Sequence, residues 1–237
     1  MSEKFRALMI EKEDDTQTVN MVEIEDNDLM EGNVLVKITH STLNYKDGLA
    51  ITGASPVVRS FPMIPGIDFS GIVLLSEDKK FSEGDRVVLN GYGLSESHFG
   101  GYSEKARVKS EHLLKLPENI SNKQAMAIGT AGFAAGLAIF KMKLNKQTPE
   151  MGPIVVTGAT GGVGSIAIDM LSSSGYETTA ITRKKTHNEY LESMTTRALI
   201  NTLQNGLLSR DCNRFCIVAL TACALEMRKS MYALSLI

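Results

Sequence analysis

Residues 154–164 of this 237-residue chain read Ile-Val-Val-Thr-Gly-Ala-Thr-Gly-Gly-Val-Gly. A short β-branched run stops in a turn of small residues, and a segment with helical spacing (Ile166, Ile168, Met170, Leu171) follows. Against G-x-G-x-x-G the match is Ala159 to Gly164, with alanine in the first place. A small first residue permits the tight turn, Gly161 lets the backbone approach a pyrophosphate, and Gly164 lets helix and strand pack closely. The helix that opens at this turn aims its free N–H groups and the positive end of its dipole at the phosphates. Thr160, Gly161, Gly162 and Val163 are therefore candidate cofactor-binding residues. The bland alternative is a turn that only reverses the chain. A strand before it and a helix after it argue for the binding reading.

The next strand, Glu177–Ile181, bears on which dinucleotide. A site for NAD places Asp or Glu at this strand end to hold the ribose 2′-hydroxyl. Here Thr182, Arg183 and Lys184 follow instead. Cations offer charge-assisted hydrogen bonds to a 2′-phosphate, which a carboxylate would repel. The expectation is NADPH, with a solvated basic turn as the alternative. Two rival glycine motifs fail. A Thr-Gly-x-x-x-Gly-x-Gly site needs a downstream Tyr-x-x-x-Lys pair, which occurs nowhere in the chain. A P-loop needs Gly-Lys-Ser/Thr, which Val163-Gly164 does not supply.

The first 120 residues have a different texture. Phe5–Ile10, Asn33–Ser41, Ile67–Leu75, Arg86–Leu89, Tyr102–Val108 and His112–Leu116 are short strand patterns with turn residues between them, the mark of a barrel or partly open sheet. Ser121 is placed to cap a helix over Asn122–Lys143, where Gly129, Gly132 and Gly136 signal a break or a close backbone approach. The division expected is 1–120 for a β-rich domain, 121–145 for a connecting helix, 146–203 for a nucleotide-binding α/β domain, and 204–237 for a tail. A short helix over Asn188–Met194 and a third parallel strand over Ala198–Leu203 complete the α/β part. With 25 Lys and Arg against 27 Asp and Glu, no basic field exists to draw nucleic acid. The apolar runs fall short of the ~20 residues of a membrane span. The N-terminal residues carry no apolar signal core. The three cysteines, Cys212, Cys216 and Cys223, are no disulfide framework, and their spacing lacks the pairs of a structural zinc site. A cytoplasmic protein acting on a small molecule is the expectation.

Five segments carry a family resemblance: Leu43-Asn44-Tyr45-Lys46-Asp47, Phe61–Gly71, Gly84–Val88, Gly100–Glu104 and Ile128–Gly132. Together with the glycine turn they resemble the medium-chain dehydrogenase/reductase superfamily, specifically its quinone-oxidoreductase-like branch and the acrylyl-CoA reductases within it. The resemblance implies a GroES-like β-rich barrel domain followed by a Rossmann domain with a doubly wound parallel sheet. It implies NADPH-dependent reduction of an activated C=C bond in an enoyl-CoA thioester, enone or quinone. Zinc-dependent members take Cys and His ligands from the first domain, and no cysteine precedes Cys212, so zinc-free chemistry is expected. Tyr45 and Asn44 are the implied catalytic residues, and Tyr45 and Thr130 flank the nicotinamide. For each a plainer role stands beside this one. The alternatives are a buried tyrosine bonded to a loop for Tyr45, a turn-holding role for Asn44, and helix packing for Thr130.

The resemblance ends near residue 203. Ending after three parallel strands would leave the third as an open edge and remove the second half of the nucleotide site. The apolar run Cys216–Leu225 is a candidate cover for that edge. The rival expectation is thus a non-catalytic family member that binds nucleotide weakly or pairs with a full-length partner. A homodimer through the sheet edge, known in the family, would be weakened.

Overall fold

The computed structural model describes residues 4–182, Ser193, 197–200 and 216–218. The chain forms two compact units, Met1–Thr130 and Ala131–Ile237.

The first unit is antiparallel. β1 (Phe5–Glu13) pairs with β2 (Thr16–Ile24) as a hairpin. β3 (Val34–His40), β4 (Asp68–Ser76), β5 (Arg86–Asn90), β6 (Lys105–Val108) and β7 (Leu114–Lys115) form a sheet in the order β6-β3-β4-β5-β7. Alternation along β5, β6 and the start of β3 buries one side chain in two, while the first four residues of β4 are all buried. Val34, Val36, Phe69, Val73, Val87 and Leu89 fill the core between them. A second cluster, around Phe5, Ala7, Met63 and Ile64, seats the hairpin.

Two elements of this unit escape the sequence patterns. β2 has only Ile24 buried, so its residues show no apolar alternation. α1 (Tyr45–Thr52) is a short helix with mixed polarity. Its ends are nonetheless marked. The Asp47 carboxylate accepts the Asn44 backbone N–H at 2.9 Å, in a reciprocal cap, and Gly53 closes the helix at φ +66°.

α2 (Asn122–Leu144) opens where expected. The Gln124 N–H donates to the Ser121 hydroxyl at 3.2 Å, and the Ser121 N–H donates to Gln124 Oε1 at 2.9 Å. Of its three glycines only Gly129 breaks the helix, at φ 54° and ψ −165°. Its 23 residues make it long and apolar enough to cross a membrane by length and composition, which the uninterrupted apolar runs do not. The break at Gly129 falls inside this stretch.

The second unit is parallel. β8 (Ile154–Thr157), α3 (Gly162–Ser173) and β9 (Thr178–Thr182) form a βαβ unit, and β10 (Arg197–Ile200) pairs beside β9. Ile154, Val156, Ile168, Leu171 and Ala180 pack with Ile139 and Met142 of α2 into one core. A fourth strand, β11 (Cys216–Val218), pairs in parallel with β8. The sheet order is β10-β9-β8-β11. This corrects two expectations. The sheet does not stop at three strands, and Cys216–Val218 of the apolar run pairs with β8 and not with β10. These three residues add to the opposite side of the sheet, because β8, buried at Ile154, Val155 and Val156, has two edges for pairing and β9 takes only one. The helix expected over Asn188–Met194 lies outside the described residues, Ser193 excepted.

Candidate functional site

In the second unit the site is built by glycine. β8 delivers the chain into Gly158, which turns at φ +64°. The Gly161 N–H then donates to the Gly158 carbonyl at 2.9 Å, and α3 begins at Gly162. A Cβ on Gly164 would come within 2.4 Å of the Gly158 oxygen, so only glycine brings helix and turn this close. Gly161 and Gly162 are exposed, and no side chain caps the first turn of α3 or places an acid in it. The first N–H groups of a helix lack intrahelical acceptors, and the dipole makes that end positive. The turn thus suits a diphosphate. The strand order places it where the sheet changes direction, between β8 and β11, the place where open α/β sheets bind nucleotides.

Thr160 and Thr182 meet across this turn, hydroxyl to hydroxyl, at 3.3 Å. Thr182 is buried at the end of β9. Arg183 and Lys184 lie outside the described residues.

In the first unit, Asn44 and Thr130 gather on one buried carboxylate. Asp68, 0 % exposed at the start of β4, accepts from the Thr42 hydroxyl at 2.7 Å and from the Thr42 N–H at 3.1 Å. It also accepts from the Thr130 hydroxyl at 2.6 Å, the Thr130 N–H at 3.0 Å, and Asn44 Nδ2 at 3.3 Å. The break at Gly129 is what frees the Thr130 N–H for this carboxylate instead of the helix ladder. A Cβ on Gly129 would press on Thr42 at 3.0 Å. Neither Asp68 nor Gly129 stood out in the sequence as a site residue. The signal was a glycine out of place in a helix pattern.

Tyr45 is 85 % exposed, and its phenol has no hydrogen-bond partner among the described residues. The alternative of a buried tyrosine bonded to a loop is therefore corrected. That part is taken by Tyr102, whose hydroxyl donates to the Thr42 carbonyl at 2.9 Å. Burial, then the neighbouring Asp47 carboxylate, push the Tyr102 phenol well above its ordinary range. Asp47 is itself 1 % exposed and accepts the Ile67 N–H at 2.9 Å. Desolvation raises its pKa, against the lowering effect of the donors it accepts. Beside Tyr45, Lys46 pairs with Glu96, which Arg59 also approaches at 3.5 Å.

The alcohol dehydrogenase GroES-like domain family matches residues 30–118. The Tuberin family matches residues 175–235. The probable acrylyl-CoA reductase AcuI of Escherichia coli (strain K12) is 44% identical over 190 residues, which are 80% of this chain and 59% of that protein. The putative quinone oxidoreductase YhfP of Bacillus subtilis (strain 168) is 44% identical over 194 residues, 82% of this chain and 59% of that one. The yhdH oxidoreductase from Salmonella enterica, solved in complex with NADP, superposes with a TM-score of 0.80 at 44% identity over 83% of this chain and 61% of its own. The chain belongs to the quinone-oxidoreductase-like branch of the medium-chain dehydrogenase/reductase superfamily.

The chain spans about three fifths of the length of the relatives it matches. Family membership accounts for both units: a GroES-like antiparallel domain and a partial Rossmann domain. Bacillus subtilis yhfP was solved with NAD bound, so branch members differ in nucleotide. Among the described residues no three His, Cys, Asp or Glu side chains gather as metal ligands.

Proposed function

We propose that the chain binds NADPH and reduces an activated carbon–carbon double bond in a small molecule, an enoyl thioester, enone or quinone, without zinc. The observation that carries this is the uncapped glycine turn at the head of α3, in a chain 44% identical to acrylyl-CoA reductases. Thr160, Gly161, Gly162 and Val163 hold the diphosphate through backbone N–H groups. Thr182, Arg183 and Lys184 face the adenosine 2′-phosphate, and Tyr45 and Thr130 serve the nicotinamide end. The bound nicotinamide supplies the hydride.

The remaining chemistry is a proton and a developing oxyanion. The exposed Tyr45 phenol is free to donate to either. Asn44 has a different part. One of its amide hydrogens goes to Thr42 Oγ1 at 2.9 Å and the other to Asp68, so it holds the turn and carries no hydrogen to the substrate. The setting consistent with this chemistry is the cytoplasm.

Titration with NADPH and NADH, then NADPH consumption with acrylyl-CoA and with a quinone, tests the reading. Tighter binding of NADH sinks the cofactor assignment. Nucleotide binding with no turnover on either substrate favours the non-catalytic family member.

A further inference from the structure

Residues of an antiparallel strand bond alternately to one neighbour and to the other. Along β1 the even-numbered residues bond outward to the rest of the first unit. The Ile10 N–H donates to the Met63 carbonyl at 2.8 Å, and the Met63 N–H donates back to the Ile10 carbonyl at 2.9 Å. The Leu8 N–H donates to the Tyr102 carbonyl at 2.9 Å, and the Arg6 carbonyl accepts the Glu104 N–H at 3.0 Å. The odd-numbered residues of β1 are thus left for β2. The register sets Met9 against Asn20 and Glu11 against Thr18, so β2 answers with its even-numbered residues. The N–H and C=O groups of Gln17, Val19, Met21 and Glu23 therefore point away from β1. Among the described residues no strand pairs with that edge.

An open edge is a template for another strand, and proteins blunt it with Pro, Lys, a bulge or a short length. β2 uses none of these. It runs for nine residues without Pro, Lys or Arg, its register with β1 is unbroken, and Met21 is 66 % exposed.

The strand is also matched to itself. Set antiparallel to a second copy about a two-fold axis at Asn20, all of Thr16–Ile24 overlaps and the odd-numbered groups fall in bonding positions. Val19 then faces Met21 of the second copy, Thr18 faces Val22, and Thr16 faces Ile24. These are the apolar and β-branched pairs that stabilise sheets. Glu23, the one charge on the strand, faces the neutral Gln17. An axis at Val19 would set Glu23 against Asp15, and an axis at Met21 would leave Thr16 and Gln17 beyond the end of the facing strand. At Asn20 acids approach only outside the strands, Asp15 near Glu25.

We propose that β2 is a dimer edge: two copies of the chain pair through Thr16–Ile24, antiparallel about Asn20, and their hairpins form one four-stranded sheet. The interface lies wholly in the first unit and does not depend on the nucleotide reading.

Sedimentation of the full chain over a concentration series reads the association. The wild type is expected to form dimers, and added salt to tighten them by screening the acids at the strand ends. Met21→Glu puts two carboxylates diagonally across the axis at an exposed position and is expected to weaken the dimer about tenfold. The register is read by cysteine. A non-hydrogen-bonded pair on the axis has Cα atoms about 4.5 Å apart, within the span of a disulfide. Under oxidised glutathione Asn20→Cys is expected to link two chains, and Thr18→Cys, which faces Val22, to link no more than the wild type with its own three cysteines. A wild type that is monomeric up to its solubility limit overturns the proposal. So does a dimer that salt weakens, one that Met21→Glu leaves intact, or one that links through Thr18→Cys and not through Asn20→Cys.

Discussion

The hydroxyls of Thr160 and Thr182, 22 positions apart, stand 3.3 Å from each other and tie the glycine turn to the end of β9. In the proposed reading the turn serves the diphosphate and the strand end the ribose, so this one polar contact would register both halves of an adenosine site. Where an NAD site keeps a carboxylate, this chain keeps a small hydroxyl followed by Arg183 and Lys184.

Arg183→Ala is therefore expected to weaken NADPH by about tenfold to a hundredfold and leave NADH within about twofold, since a charge-assisted bond to phosphate is worth roughly 1.5–3 kcal/mol. Paired titrations with both nucleotides measure the difference. Equal weakening of both would mean that Arg183 supports the fold and does not read the 2′-phosphate.

Two glycines of one turn should part company. A methyl group at Gly164 meets the Gly158 oxygen at 2.4 Å, and one at Gly161 meets it at 3.3 Å. Gly164→Ala is expected to cost about 1–3 kcal/mol of stability, as overpacking does. Gly161→Ala is expected to leave the denaturant midpoint close to wild type and to weaken NADPH, because its methyl group stands in the exposed approach to the diphosphate. Urea melts and nucleotide titration of the two variants separate packing from binding.

Tyr45→Phe removes one oxygen from a side chain that is 85 % exposed. Stability should stay within about 0.5 kcal/mol of wild type, as for exposed substitutions generally. Turnover of NADPH with an enoyl thioester should fall by about tenfold or more if the phenol donates in the transition state. Unchanged turnover assigns the proton to solvent.

Asp47 makes a pH prediction. Its pKa is raised in the folded protein, chiefly by burial, so between the unfolded and folded values the folded state binds a proton that the unfolded state does not. The stability from this group is fully present below the unfolded value, about pH 3.9, and is lost as pH rises through the folded value. Asp47→Asn removes that downward slope. At neutral pH it should also lower stability by about 1–3 kcal/mol, because the Asn44 and Ile67 N–H groups lose a carboxylate acceptor. Urea midpoints of wild type and variant from pH 4 to pH 7 show whether the slope difference is there.

Strands with one buried face were legible in the sequence, because Val34, Val36, Val73 and Val87 write their burial into alternation. The glycine turn was legible because its chemistry excludes side chains. β2 was not, because its neighbours leave it almost bare and an exposed strand carries no apolar period. α1 is only two turns long, too short for a helical period, though Asn44, Asp47 and Gly53 mark its ends. Asp68 looked like one acid among many. Its importance comes from four segments meeting at one point, around Thr42, Asp68, Asn90 and Thr130, and their separation along the chain hides that meeting from any local pattern.

β11 enters the sheet with three residues, Cys216, Ile217 and Val218, set against Ile154, Val155 and Val156. Three rungs of a parallel ladder ask little of a sequence beyond being apolar, β-branched and correctly directed. The slot beside β8 thus behaves as a socket whose requirements are loose. The segment that fills it lies, with β9 and β10, in the span matched by the Tuberin family, while residues 30–118 match the alcohol dehydrogenase GroES-like domain. A sheet with such a socket can exchange the supplier of its fourth strand without rebuilding the glycine turn at its centre. The innermost part of a nucleotide site can in this way outlast changes in the chain that frames it.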